Sequence, residues 1–190
     1  MSRVSHSAGA NSVRLMPMTR NSSDTKEKLL DAFDALLEQH GTAGATLDAV
    51  AAEAGVSKGG LLYHFGSKAK LVEGSLERLR RYVDADIEQM RAAELGPHVY
   101  YLDTAAETGT PLDRSLIAAS RLAQEYDEAR DALGETRVQW FDALNDHLGD
   151  PDLAMTIQLI GDGMYLNQNF GLSESEALGH VKNVLARLGL

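Results

Sequence analysis

The sequence predicts an all-α fold of about nine helices, and three observations support this prediction. Apolar residues recur at spacings of three, four and seven along most of the chain, as they do on the buried face of a helix. Glycine and proline interrupt the pattern, for example at Gly96-Pro97 and between Gly149 and Pro151. No segment keeps the pattern of a strand, so we expect helices joined by short connections.

The first 23 residues differ from the rest of the chain. They are rich in serine, arginine and asparagine and contain few apolar residues, so we expect a disordered N-terminal arm. They lack the continuous apolar stretch of a signal peptide, and Met18 is an alternative start. Arg14 and Arg20 could reach a DNA backbone or minor groove, and the alternative is a tail without contacts.

The first helix is predicted over residues 24–40. Leu29, Phe33 and Leu37 fall on one face and are expected to point inward. Gly41 follows, where glycine can end a helix in a left-handed conformation without steric penalty.

Residues 46–66 predict two short helices joined by a glycine turn. Thr46 is suited to cap the first helix, because its hydroxyl can accept from the free amides of the first turn. Gly55 would end that helix, Ser57 would cap the second one and Gly66 would end it. This order of elements is a helix-turn-helix, whose second helix lies in the major groove of DNA.

Core packing does not explain every residue of this segment. Leu61 and Phe65, four residues apart, have the spacing of a buried helix face. Lys58, Tyr63 and His64 have no place on that face, and a second lysine, at position 68, follows directly. A cluster of cationic and hydrogen-bonding side chains around one short helix favours contact with phosphate groups.

The segment Gly-Val-Ser-Lys-Gly at residues 55–59, followed by Leu-Tyr-His-Phe at 62–65 and Ser-Lys at 67–68, resembles the TetR family of transcriptional regulators. The resemblance is close over residues 25–71 and afterwards rests on the number and length of the helices. It implies a DNA-binding head at residues 24–70 and a ligand-binding, dimerising body at residues 71–190. Repression is the more usual activity in the family, with release from DNA when a small molecule binds.

Positions that match the family motif imply two kinds of DNA contact. Contacts to phosphates are expected from Thr46, Ser57, Tyr63, His64 and Lys68. Contacts to base edges are expected from Leu47, Lys58, Gly59, Gly60 and Leu62. The sequence departs from the commoner pattern, because leucine at 62 replaces a frequent tyrosine and the two glycines have no side chains. The lysine at 58 is therefore the strongest candidate to read guanine O6 and N7, and DNA shape would supply further specificity.

The body is predicted to begin with a long helix over residues 67–93, roughly 40 Å long at about 1.5 Å per residue. Further helices are predicted at 98–107, 113–126, 128–147, 152–168 and 174–188, with a turn at Gly171 between the last two.

The last two helices are unusually apolar, and this indicates a dimer interface. Helices this apolar at the end of a small chain usually need more cover than their own chain provides, although an intramolecular core is the alternative. The resemblance implies that they form a four-helix bundle with a second subunit. A homodimer with two recognition helices would bind an inverted repeat with half-sites about 34 Å apart. The predicted interface residues are Leu153, Ile157, Ile160, Leu178, Val181, Val184, Leu185 and Leu188.

Aromatic residues are concentrated after residue 97, and they suggest an effector site in the body. Ligand sites are mostly apolar with a few polar groups that orient the ligand. We expect a small, mostly apolar effector, and the alternative is that these residues belong to the core. The predicted lining residues are Tyr101, Tyr126, Trp140, Met164, Tyr165 and Asn167.

Charge is distributed unevenly along the 190 residues. Residues 1–70 carry eight lysines and arginines against seven acidic residues, whereas residues 71–190 carry ten against twenty-one. The net charge of −10 therefore comes from the body, whose acidic surface is kept away from phosphate. The asymmetry is compatible with double-stranded DNA as the partner of the head.

The sequence gives little support to an enzyme or a metalloprotein. Cysteine is absent, which excludes disulfides and thiolate chemistry, and the six histidines lack the spacing of a metal site. Asp162 lies between two glycines and Asp146 precedes His147, but exposed helix positions explain them better than an acid–base pair. No run of 18 apolar residues exists. We expect a cytoplasmic, non-enzymatic protein without membrane contact, catalytic residues, metal or cofactor.

Two alternatives to a repressor stay open. A helical protein-interaction module, or an activator of the same fold, would bind DNA weakly. A small helical enzyme would use the aromatic pocket and turn over its ligand. The phosphate-suited residues around position 63 argue against both.

Overall fold

The computed structural model describes residues 19–105, 107–168 and 174–189, and only the backbone of residues 19–21, 168 and 174–176. These ranges contain nine α-helices and no strand, so the predicted fold class is confirmed for them. The helices are α1 (Thr19–Gly44), α2 (Leu47–Glu53), α3 (Lys58–Phe65), α4 (Lys68–Ala92), α5 (Pro97–Thr104), α6 (Pro111–Leu122), α7 (Asp127–Leu148), α8 (Pro151–Gln168) and α9 (Glu174–Leu188). The first eighteen residues of the expected arm and the predicted turn at Gly171 lie outside the described residues.

Helix α1 begins five residues earlier than the sequence predicted. Residues 19–23 of the expected arm are helical, because no glycine or proline interrupts the chain between Thr19 and His40. Extending an existing helix fixes one residue for each new hydrogen bond and therefore costs little. The predicted end of the helix is confirmed at Gly41, which has a φ of 65°, and a further helical turn follows up to Gly44.

The core is continuous from α1 to α8. The side chains of Leu29, Phe33 and Leu37 are fully buried, and α1 packs against α6 and α4 as well as against α2. The helix-turn-helix is therefore packed against the body through α1 and α4 and is not joined to it by a flexible linker. The predicted boundary at residue 70 crosses this shared core, since α4 begins beside α3 and continues into the body.

A buried ion pair joins three helices at the centre of this core. Arg78 of α4 is only 2% exposed, and its Nη2 lies 2.5 Å from Oδ2 of Asp34 in α1. Ser75 of α4 and Ser115 of α6 also donate to the Asp34 carboxylate, at 2.9 and 3.3 Å. Asp31 accepts from Arg78 Nη1 at 2.7 Å. The network connects α1, which packs against α2, to α4 and α6 of the body.

Within the described ranges, no helix has the length and apolar character needed to cross a bilayer.

Candidate DNA-binding surface and body cavity

Helices α2 and α3 form a helix-turn-helix whose ends are set by the predicted caps. Thr46 Oγ1 accepts from the amide of Ala49 at 3.2 Å, and Ser57 Oγ accepts from the amide of Gly60 at 3.1 Å. Gly55, at a φ of 69°, makes the turn between the two helices. These contacts satisfy amides that have no partner within their own helix and so fix where each helix begins.

Helix α3 is held against the core by one face only. Leu61 and Phe65 are buried, and Gly74 of α4 makes room for the aromatic ring. A Cβ at this glycine would lie 2.7 Å from the Phe65 ring, so the close approach of α3 to α4 requires a residue without a side chain. The opposite face carries Tyr63, which is 78% exposed, and Leu62. The predicted recognition helix therefore presents its DNA-suited residues to solvent.

The candidate base-contacting residues lie around the start of α3. The Lys58 ammonium forms an exposed ion pair with Asp48 of α2, at 2.9 Å. Leu47 is half-buried, and Gly60 lies beneath the Ser57 cap. At Gly59 an added Cβ would meet only Ser57 Oγ, at 3.9 Å, so the backbone here is open to close approach from outside. Lysine at 58 would have to leave Asp48 before it reached a base.

The candidate phosphate-contacting residues include the exposed caps at Thr46 and Ser57 and three residues at or just after α3. Tyr63 and His64 are in edge-to-face contact, with ring centroids 5.3 Å apart. Lys68 has a contact that the sequence did not predict, because its Nζ donates to the carbonyl of Thr42 at 2.7 Å. This bond fastens the start of α4 to the end of α1. It uses one of three ammonium donors, and two are left for other acceptors.

A cavity of about 900 Å³ lies in the body between α4, α5, α6, α7 and α8. Of the residues predicted to line an effector site, Tyr101, Trp140 and Tyr165 line this cavity, whereas Met164, Tyr126 and Asn167 are not among the lining residues that the structure describes. Met164 is buried in the core, Tyr126 precedes α7 and packs against the core, and Asn167 is exposed. The cavity is lined by residues 161, 162, 165 and 166 of α8, and at about 100° per residue positions 164 and 167 lie outside this face of the helix.

Three carboxylates hold the aromatic residues of the cavity in place. Asp86 accepts from Tyr100 Oη at 2.9 Å and from Trp140 Nε1 at 2.8 Å. Asp162 accepts from Tyr101 Oη at 3.0 Å and forms an ion pair with Arg137. The third carboxylate, of Asp113, accepts from Tyr165 Oη and from the amide of Gly109, both at 2.6 Å. Sequence reasoning missed these carboxylates and had placed Asp162 on a helix surface, because their partners are distant in the chain.

The tyrosines of these pairs are neutral hydrogen-bond donors. Burial, and then the neighbouring carboxylates, raise the pKa of Tyr100, Tyr101 and Tyr165 above the ordinary value. Gly161 gives the ring of Tyr101 its place against α8, because a Cβ at this position would lie 2.5 Å from a ring carbon. The same ring meets Trp140 edge-to-face, with centroids 5.8 Å apart. The walls of the cavity are thus fixed by side-chain pairs between helices.

The predicted dimer residues of α8 and α9 divide into two groups. Ile157 and Leu185 are buried inside the protomer and are not available to a second subunit as they stand. The others are partly exposed, and Val184 and Leu188 are 45% and 64% exposed. On α8 the exposed large apolar side chains are Met155, Leu159 and Leu166. An apolar surface therefore remains uncovered across α8 and α9.

Comparison with known proteins identifies the helix-turn-helix and the fold. Residues 29–74 match the family model described as bacterial regulatory proteins, tetR family. A search among curated protein sequences gave no match. In the described ranges, no three histidine, aspartate or glutamate side chains converge as a metal site.

Solved structures of similar fold cover nearly the whole chain. NalD, the secondary repressor of the MexAB-OprM multidrug efflux pump in Pseudomonas aeruginosa, is 18% identical, with a TM-score of 0.64 over 89% of this chain and 97% of its own. A transcriptional regulator from Saccharomonospora viridis in complex with choline is 19% identical, with a TM-score of 0.66 over 86% and 96%. The multidrug binding protein EbrR complexed with malachite green is 20% identical, with a TM-score of 0.63 over 86% and 96%.

At these identities the solved structures establish the fold, while the family match establishes the helix-turn-helix head. Residues 29–74 thus carry the helix-turn-helix head of the tetR family of bacterial regulatory proteins, and the described chain shares the fold of solved transcriptional regulators.

Proposed function

We propose that the protein is a ligand-responsive repressor that binds an inverted-repeat operator as a homodimer and leaves it when a small effector occupies the body cavity. The observation that carries this proposal is the course of α4. Near its start Gly74 receives Phe65 of the recognition helix, and further along Tyr82, Asp86 and Gln89 line the cavity. One rigid element therefore touches both sites, and a ligand that displaces α4 also displaces α3.

The likeness to effector-binding proteins supports the cavity as the effector site. EbrR is a multidrug binding protein complexed with malachite green, and the regulator from S. viridis is complexed with choline. NalD is a repressor. A volume of about 900 Å³ is within the ordinary range for sites that enclose a small organic molecule. The effector acts only if it binds the DNA-incompetent state more tightly, because equal affinity for both states shifts nothing.

The exposed apolar surface of α8 and α9 supports the proposed dimer. Large apolar side chains such as Leu159, Val184 and Leu188 are uncovered in the single chain. Exposed large apolar side chains on two helices that pack together are typical of an interface between subunits. A two-fold dimer formed through it would have two α3 helices, one for each half-site of an inverted-repeat operator.

On the DNA, we propose that the head divides its contacts as the family motif implies. Hydroxyl, imidazole and ammonium groups around α3 hold phosphates and fix the register, without sequence information. Lys58 and the backbone at Gly59 meet base edges, and their exposure supports this assignment. The protein would act in the cytoplasm on double-stranded DNA, and it would need neither metal nor cofactor.

Selection of genomic fragments by the purified full-length protein tests the proposal. At about physiological salt we expect recovery of one inverted repeat with half-sites a helical turn apart. Salt-sensitive retention of all fragments alike would show that the head holds phosphates without reading sequence. No retention by a folded dimer would contradict the proposal and favour a protein-interaction module.

A further inference from the structure

The body cavity combines aromatic walls with an excess of negative charge. Two arginines are among the described residues that line it, at positions 121 and 137, together with four carboxylates, those of Asp86, Glu107, Asp113 and Asp162. The arginine at 137 is already paired with the carboxylate at 162. Within the described ranges, the hydrogen bonds that Asp86 and Asp113 accept come from neutral groups. Negative charge is therefore left facing the cavity.

Two aromatic rings donate hydrogen bonds from their edges to the Asp86 carboxylate. Trp140 donates its indole N–H to one oxygen and Tyr100 donates its hydroxyl to the other. Both bonds lie near the ring planes, so they occupy the ring edges and not the ring faces. The faces of tryptophan and tyrosine carry negative electrostatic potential and attract cations. Tyr101, in contact with Trp140, adds a third ring to the same part of the cavity.

This arrangement selects against three classes of ligand. An anion would lie beside carboxylates in a partly desolvated site, where like charges repel strongly. A neutral, fully apolar ligand would strip water from Asp86 without supplying an opposing charge, and that desolvation is costly. A small inorganic cation lacks a converging set of oxygen ligands, because the described residues form no metal-binding group. A bulky cation with apolar substituents satisfies both the carboxylate and the rings.

We propose that the cavity binds an organic cation, held by the charge of Asp86 and by the faces of Trp140, Tyr100 and Tyr101. The inference rests on the proposed role of the cavity as the effector site and makes it more specific. It also changes the sequence-based expectation of a mostly apolar effector, because the apolar part of the ligand must carry a positive charge.

A pair of ions with one shape and opposite charges provides the test. Tetraphenylphosphonium and tetraphenylborate differ mainly in the sign of their charge, and either fits the cavity by volume. In calorimetric titrations of the full-length protein we expect the phosphonium ion to bind at least about tenfold more tightly. Equal affinities, tighter binding of the borate ion, or no binding of the phosphonium ion would each overturn the inference.

A substitution at Asp86 tests the origin of the preference. Asp86→Asn keeps the size of the side chain and removes its charge, so we expect the phosphonium affinity to fall about tenfold and the preference between the two ions to shrink. Asp84→Asn is the matched control, since Asp84 is exposed on the same helix and does not line the cavity. Circular dichroism confirms folding of both variants, and the comparison of the two ions on the unmodified protein needs no variant at all.

These titrations contain no DNA, so they are independent of the operator. Charge-selective binding that leaves the DNA affinity unchanged would support the cation site and contradict its proposed effector role. If an operator is selected but the two ions bind with equal affinity, the proposed regulatory function would stand and the cation site would be overturned.

Discussion

In the DNA-binding head the hydrogen bonds of the helix caps join residues three apart, whereas in the body the hydrogen bonds between cavity side chains join residues from 14 to 61 apart. The caps at Thr46, Ser57 and Ser67 each accept from an amide three residues later. In the cavity, Tyr165 and Asp113 are 52 residues apart, and Tyr101 and Asp162 are 61 apart. The head is thus shaped by its own sequence, while the cavity is shaped by how five helices are assembled.

Under the proposed function, this difference explains how the body would respond to an effector while the head keeps its shape for binding DNA. A site fixed by local caps keeps its shape when neighbouring helices move, so the recognition helix behaves as a rigid unit. A site made of pairs between helices changes whenever a ligand inserts between them. Helix α4 forms part of the cavity wall through Asp86. Displacement of α4 would therefore move the head as a folded unit and would not unfold it.

The largest effect is expected where the two regions meet. Arg78→Ala would leave Asp34 buried without its counter-charge, and we expect the free energy of unfolding to fall by about 3–5 kcal/mol. Arg80→Ala, two residues further along α4, removes an exposed ion pair with Glu135 of α7 and should cost less than about 1 kcal/mol. Urea denaturation measures both values. Similar losses in the two variants would show that the buried pair does not hold head and body together.

The body should respond strongly to a single methyl group at the cavity wall. Gly161→Ala would place a Cβ 2.5 Å from the Tyr101 ring, so the ring must move, at a cost of about 1–3 kcal/mol in unfolding free energy. At Gly163, two residues along α8, an added Cβ meets nothing within 4 Å, and alanine should stabilise the helix by about 0.5–1 kcal/mol. Thermal unfolding compares the variants. Equal behaviour would mean that the contact with Tyr101 does not fix the wall.

In the head, alanine substitutions of two lysines should reduce DNA affinity in different ways. Lys58→Ala should cost about 1–3 kcal/mol of binding free energy at one preferred base pair, while Lys68→Ala should weaken binding to all sequences alike. Fluorescence anisotropy with matched and scrambled operators separates these effects. Equal losses on both DNAs for both variants would refute the division into base and phosphate contacts.

The smallest effect is expected at a glycine of the recognition helix. Gly59→Ala meets no obstacle in the protein and should raise the unfolding free energy by about 0.5–1 kcal/mol, yet it should weaken operator binding if the DNA approaches the backbone. Gly134→Ala, on an exposed and unobstructed part of α7, should give a comparable stability gain without a change in DNA affinity. Unchanged operator binding of Gly59→Ala would exclude close backbone approach at this position.

The same contrast determines what could be predicted from the sequence. In the head, the caps at Thr46 and Ser57 and the glycines at 41, 55 and 66 were predicted correctly, because a cap or a positive φ depends on residues within one turn. The contact between Lys68 and the carbonyl of Thr42 spans 26 residues and was not predicted. Contacts within one helical turn could therefore be predicted from the sequence, whereas a contact between residues 26 apart could not.

In the body, the sequence located helices but not the directions in which they face. Helix α8 is apolar on more than one side, so its periodicity does not show whether Met164 or Tyr165 faces the cavity. The carboxylates at 86, 113 and 162 read as ordinary polar positions until Tyr100, Trp140 and their partners are brought together by packing. The same limit applies to α8 and α9, where Ile157 was predicted at the interface and is buried inside the chain.

The most direct test of the proposed coupling measures operator affinity with the cavity empty and filled. Once the operator has been selected, saturating tetraphenylphosphonium should weaken its binding to the unmodified protein at least about tenfold. Asp86→Asn, whose phosphonium affinity is about tenfold lower, should need about tenfold more of the ion for the same loss of operator affinity, because its cavity fills only at higher concentrations. An unchanged operator affinity, with the phosphonium ion shown by calorimetry to occupy the cavity, would contradict the claim that the body controls the head.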